Sequence, residues 1–254
     1  MAYDDVGAGA PVVLLHPFPL DRRYWAGTVA ALAPARRVIT VDARGFGESK
    51  ASGPFTIADL ADDLAALLDG LGVATAAVVG LSMGGYVALA LAQRHPARLS
   101  ALILADTRAA ADTPEVRRAR EEARALIESA GVDTYLDRSL PRLLAPDAGP
   151  AMLARVRALA ETRGDRIIAG LAAMRDRPDR TAELPAIRCP TLVLAGARDQ
   201  VVPADEMQRM SAAIPRARFV ALDGAGHLAS LETPETFNVA LRAFLDQQHH
   251  EAVA

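Results

Sequence analysis

Cysteine, lysine and aromatic residues are scarce in this sequence, and each shortage excludes something. Cys189 is the one cysteine, so no intrachain disulfide can form and nothing calls for an oxidising compartment. Placed just before Pro190 at the edge of an apolar run, it reads as a small buried hydrophobe rather than a reactive thiol. Lys50 is the one lysine, and the remaining positive charge sits on arginine, a bias of composition rather than of chemistry. With a net charge of −3 there is no basic excess to attract nucleic acid or an anionic membrane, and neither is expected as a partner. No apolar run reaches the roughly 18 residues of a membrane span. The start, Met1-Ala2-Tyr3-Asp4-Asp5, is acidic and lacks the basic and apolar regions of a signal peptide, so a soluble, cytoplasmic protein is expected. The five histidines show no ligand spacing and there is no phosphate-binding G-x-x-x-x-G-K-[ST] loop. No metal and no organic cofactor are expected.

What is present suits a well-packed domain. Of the 254 residues, 51% are hydrophobic and 23% charged, enough to bury a full core under an ordinary surface. At about 100–200 residues per domain, the length fits one large domain or one domain with an insertion. Short runs at 11–15, 37–41, 76–81, 99–105, 191–195 and 218–222 are apolar throughout, as strands covered on both faces should be. Helical periodicity fills 22–32, 57–71, 83–94, 204–213 and 234–248 between them. This alternation predicts an α/β fold, a mainly parallel sheet with helices on both faces. Residues 3–6 read as a short antiparallel edge strand turning through Gly7-Ala8-Gly9 into the first central one.

Residues 112–183 break the alternation, having helical pattern and no strand signal. Arginines and acidic residues balance there, and Arg117/Glu121, Arg118/Glu122 and Arg124/Glu128 are opposite charges four apart, as on an exposed helix face. The expected organisation is a core of 1–111 and 184–254 with a helical cap, or lid, inserted at 112–183.

Chemistry concentrates at a few loops. Gly80-Leu81-Ser82-Met83-Gly84 ends a strand and opens a helix, the context in which G-x-S-x-G lifts a serine hydroxyl clear of a sheet. A serine needs a base oriented by a third group. His227, in Gly224-Ala225-Gly226-His227 after the last apolar strand, is the candidate base; His249 and His250 lie in the tail, and His95 closes a helix. Asp199, just after the 191–195 strand, is the candidate acid, with Asp106 after the neighbouring strand as its rival. Asp205 suits the start of the next helix. In the loop His16-Pro17-Phe18-Pro19 neither proline has an N–H, so Phe18 would supply one oxyanion donor and Met83 the other. His16 reads as a loop-fixing residue.

These motifs, with Asp42-Ala43-Arg44-Gly45-Phe46-Gly47-Glu48-Ser49, resemble the α/β-hydrolase superfamily over essentially the whole chain. The look is nearest to the branch of 3-oxoadipate enol-lactonases, small carboxylesterases and cofactor-free haloperoxidase-like perhydrolases. Where that family usually has His-Gly, this chain has His16-Pro17. The resemblance implies hydrolysis of a small carboxylic ester or lactone through an acyl-enzyme on Ser82. The alternatives are perhydrolysis, with peroxide replacing water, and a triad-bearing ligand receptor with negligible turnover. Trp25 and Leu228 are expected to line the substrate pocket, and Arg108 or a cap arginine to meet a substrate carboxylate. Assembly as a homo-oligomer is left open.

Overall fold

The computed structural model describes residues 1–50 and 53–253, with side chains described as far as residue 248, so His249 and His250 fall outside the described side chains. Seven strands form one sheet: β1 (Tyr3–Val6), β2 (Pro11–Leu15), β3 (Arg37–Val41), β4 (Ala76–Leu81), β5 (Leu99–Ala105), β6 (Thr191–Gly196) and β7 (Ala217–Leu222). Their order is β1-β3-β2-β4-β5-β6-β7, with β1 antiparallel to β3 and every other neighbouring pair parallel. The helices are α1 (Ala26–Leu32), α2 (Ile57–Gly70), α3 (Met83–Arg94), α4 (Pro114–Ser139), α5 (Pro150–Leu159), α6 (Gly164–Arg175), α7 (Ala204–Ala212), α8 (Ala229–Glu232) and α9 (Pro234–Val253).

The central strands are buried because both sheet faces are covered; β4 is buried at every position, as its unbroken apolar run requires. Edge strand β1 is exposed along its length. Asp4 and Asp5 on it pair with Arg22 and Arg37, placing charge on an edge that would otherwise invite another strand. The segment expected as one helix over 22–32 is a 3₁₀ turn (Arg22–Trp25) followed by α1. The turn is held from outside: Asp42 accepts the Arg22 N–H at 2.8 Å, and Asp21 accepts that of Arg23 at 2.9 Å. Asp42 also accepts the Glu48 N–H at 2.8 Å, and a Cβ on Gly47 would fall 2.3 Å from its carboxylate. The Asp42–Ser49 stretch is thus a loop folded around one buried carboxylate.

Between β5 and β6 the described residues of 112–183 contain helices and no strand. α4 breaks at Gly131, which takes φ 85 and ψ 166. Of the three expected i,i+4 pairs, Arg124–Glu128 forms at 3.2 Å. Arg117 reaches Asp176 instead at 3.1 Å, Arg118 lies 4.0 Å from Glu115, and Glu121 pairs with Arg175 and Arg124. Charges that spacing assigns to one helix face therefore tie α4 to the end of α6, which packs against it. Buried Asp112 binds both Arg120 and Arg177, and Arg177 stacks 4.0 Å from the ring centre of Tyr86 on α3. This anchors the start and end of the insertion on the core.

Cys189, expected to be buried, is half-buried just before β6. Burial still pushes its thiol upward, which disfavours the reactive thiolate. Among the described residues no helix is long and apolar enough to cross a membrane.

Candidate active site

Loops leaving the carboxyl ends of β2, β4, β5, β6 and β7 meet along one sheet edge, where open α/β sheets place their sites. β4 ends at Leu81 and α3 begins at Met83, leaving one residue for the turn. Ser82 fills it with φ 53 and ψ −114, a conformation that L-residues adopt only when their surroundings enforce it. The enforcement is visible. The Ser82 N–H donates to the Ala105 carbonyl at 2.9 Å, and the Thr107 hydroxyl donates to the Ser82 carbonyl at 2.8 Å. A Cβ on Gly80 would lie 2.3 Å from the Gly84 carbonyl oxygen, and one on Gly84 would lie 2.2 Å from that of Leu15. Both glycines are required by backbone approach.

His227 stands in the loop between β7 and α8. Its Nε2 lies 2.8 Å from Ser82 Oγ and its Nδ1 2.7 Å from Asp199 Oδ2. A carboxylate at Nδ1 fixes the tautomer with hydrogen there, leaving Nε2 to accept from the serine hydroxyl. The second Asp199 oxygen accepts the N–H groups of Val201 at 2.7 Å and Val202 at 3.0 Å, which aims the first at the ring. The structure thus brings Ser82, His227 and Asp199 into one hydrogen-bonded line.

The rival acid lies behind that line. Asp106 is fully buried; its Oδ1 accepts the Gly196 N–H at 2.7 Å, and the Ala229 N–H also faces its carboxyl. Burial, followed by the charge of Asp199, pushes its carboxyl well above the usual carboxylate range. Asp205 pairs with Arg209 along α7, as its place at the helix start suggested.

Met83 opens α3, so its N–H has no acceptor within the helix. Among the described residues no protein group accepts from the N–H of Phe18. His16 holds this loop: its Nδ1 meets the Pro17 carbonyl at 3.0 Å, and its Nε2 accepts the Ala43 N–H at 3.1 Å. Burial lowers its pKa, in keeping with a neutral ring that donates from one nitrogen and accepts at the other.

Two expectations give way. Trp25 is fully buried, edge-on to Tyr24 at 4.9 Å and 6.1 Å from Phe237 of α9. It is a core side chain between helices, a role that its size fits as well as a pocket wall. Arg108 is already engaged, donating to the Val201 carbonyl at 2.7 Å and facing Glu206 at 3.3 Å, so it braces the Asp199 loop. Leu228, beside His227, is buried with its N–H on Glu232. Thr107 and Glu232 carry no sequence signal of their own; both act on backbone groups that only the folded loops bring near. Ser82 itself is 9% exposed, and Gly170 of α6 lies against the rings of Phe18 and Phe46. Among the described residues no three His, Cys, Asp or Glu side chains gather as a metal site requires.

Comparison with known proteins places the fold in a family. A model of the alpha/beta hydrolase family matches residues 12–240, and the chain belongs to that family. It is 34% identical over 230 residues to the "Putative carbamate hydrolase RutD" of Caulobacter sp. (strain K31), spanning 87% of this chain and 85% of the relative. Among solved structures, it superposes with a TM-score of 0.92 at 40% identity on a thermophilic esterase from Thermogutta terrifontis with malate bound, covering 98% of this chain and 93% of that one. The enol-lactonase of Burkholderia xenovorans LB400 follows with a TM-score of 0.89 at 31% identity, covering 96% of each chain.

Proposed function

We propose that this protein hydrolyses a small carboxylic ester or lactone through an acyl-enzyme on Ser82. The observation that carries the reading is the pair of hydrogen bonds on His227, 2.8 Å to Ser82 Oγ and 2.7 Å to Asp199. His227 takes the hydroxyl proton as Ser82 attacks the carbonyl carbon. The Phe18 and Met83 N–H groups hold the oxyanion, and His227 then protonates the leaving oxygen. In the second half His227 deprotonates water, which attacks the acyl carbon; the bond from that carbon to Ser82 Oγ breaks, and His227 returns the proton to Oγ. Asp199 keeps the ring in the required tautomer and stabilises its charged form. Residues 112–183 act as the cap that encloses the substrate.

The esterase and enol-lactonase neighbours support an ester or lactone carbonyl. A carbamate carbonyl is the second reading, favoured by the carbamate hydrolase relative, and it uses the same groups. Release of p-nitrophenol from acetate through octanoate esters, beside a lactone and a carbamate, separates the two and sizes the pocket. Ser82→Ala and His227→Ala each lower turnover on the order of 10⁴- to 10⁶-fold, and Asp199→Asn by less. Equal activity in wild type and Ser82→Ala would overturn the acyl-enzyme.

A further inference from the structure

One peptide group of the cap, the Leu144–Ala145 bond, is gripped at both ends by neighbours of the two residues that orient and carry the base. Its carbonyl, on Leu144, accepts from Gln200 Nε2 at 2.9 Å, and Gln200 follows Asp199 directly. Its N–H, on Ala145, donates to Glu232 Oε2 at 2.7 Å. The other oxygen of the same carboxylate, Oε1, accepts the N–H groups of Gly226 at 3.1 Å and Leu228 at 3.2 Å, the residues on either side of His227. The cap peptide also lies directly on Gly226. A Cβ there would fall 2.3 Å from Ala145 N and 2.6 Å from Leu144 C, so glycine before His227 is required by the cap and not by the turn alone.

Glu232 is half-buried, and burial with the charge of Asp199 pushes its carboxyl upward. An ionised group in such a place is costly unless donors surround it, and three backbone N–H groups do. Nothing in the hydrolytic steps uses this carboxylate. Its geometry is that of a clamp: one oxygen fixes the peptides flanking the imidazole, the other fixes the cap above.

We propose that Glu232 is a positioning residue that couples the seating of the cap to the placement of the His227 ring. The inference rests on the reading of His227 as the base of a serine hydrolase. With the clamp intact, closing the cap holds Nε2 on the serine hydroxyl. Without it, the cap peptide and the His227 loop move independently, and the His227 ring samples positions off Ser82. Misplacement of about 1 Å at a reacting group costs up to about 10²-fold in rate.

Glu232→Gln tests this, since a carboxamide has one acceptor oxygen and puts an NH₂ against a backbone N–H. The primary readout is the downfield proton resonance of the His227 Nδ1–H facing Asp199, which needs no turnover. In Glu232→Gln this signal shifts or broadens, and kcat on p-nitrophenyl acetate falls on the order of 10-fold or more. Glu232→Asp keeps a charged acceptor but is too short to span both partners; it gives an intermediate change, and it serves alone if Glu232→Gln does not fold. A His227 resonance and kcat identical to wild type, with only the melting temperature lowered, would make Glu232 purely structural and overturn the proposal. Failure of the hydrolase reading shows separately, as no ester turnover by wild type above Ser82→Ala, while the resonance still reports on the clamp.

Discussion

At the scale of single residues, two aspartates with similar sequence credentials have opposite environments. Asp199 accepts two backbone N–H groups on one oxygen and the His227 ring on the other. Asp106, at full burial, has the backbone N–H groups of Gly196 and Ala229 beside its carboxyl and no imidazole. Its raised pKa has a consequence for stability. An unfolded aspartate titrates near about 4, so as pH rises past that value the unfolded chain loses this proton while the folded chain keeps it. The folded state then binds more protons than the unfolded state, and the contribution of Asp106 to stability falls as pH rises toward its folded value. Asp106→Asn mimics the protonated side chain and removes that slope. Its urea midpoint, relative to wild type, should rise progressively as pH is raised above about 4. A difference independent of pH would mean that Asp106 ionises in the fold as it does outside it. The candidate serine and histidine were legible at this scale because each sits in a short motif next to a strand end. The choice between the two aspartates followed from their surroundings, which are built by β5, β6 and the His227 loop together.

At the scale of elements, the strand–turn–helix from β4 to α3 is the part of the site most fully written in local sequence. Its apolar run, its glycines and its serine all point to one conformation, and Ser82 adopts it at φ 53. The glycines are not interchangeable with alanine. Gly84→Ala would place a Cβ 2.2 Å from the Leu15 carbonyl oxygen, a contact with backbone that cannot rotate away. A loss of about 3 kcal/mol or more in unfolding free energy is expected, with an unchanged denaturant slope. An alanine variant as stable as wild type would show that β2 and α3 can separate without cost. The helices of the 112–183 insertion were less legible for a definite reason. Charge spacing along α4 predicts partners on the same helix, yet Arg117 and Glu121 find theirs at the end of α6. Exposed pairs at four-residue spacing contribute little, so they yield readily to partners on a neighbouring helix.

At the scale of the whole molecule, the 112–183 insertion and the sheet core meet over the loop proposed to hold the oxyanion. Gly170 on α6 has room for no side chain: a Cβ would lie 2.8 Å from Phe46 Cζ and 2.9 Å from Phe18 Cε2. Gly170→Ala must therefore lift α6 or press the Phe46 and Phe18 rings aside, and pressure on the Phe18 ring that shifts its loop carries the Phe18 N–H with it. We expect kcat/KM on a small ester to fall on the order of 10-fold, while the urea midpoint changes little. Unchanged kinetics would mean that α6 gives way without disturbing the loop beneath. The sequence alone determined the strands, the order of the candidate groups along the chain and the absence of a disulfide, because these depend on local periodicity, glycine sterics and composition. Only the tertiary structure decided which aspartate meets His227, that Trp25 belongs to the core, that Arg108 is already engaged, and that Glu232 binds the Leu144–Ala145 peptide and the His227 loop at once. Each of those depends on backbone groups from segments far apart in the chain, whose separation no local pattern encodes.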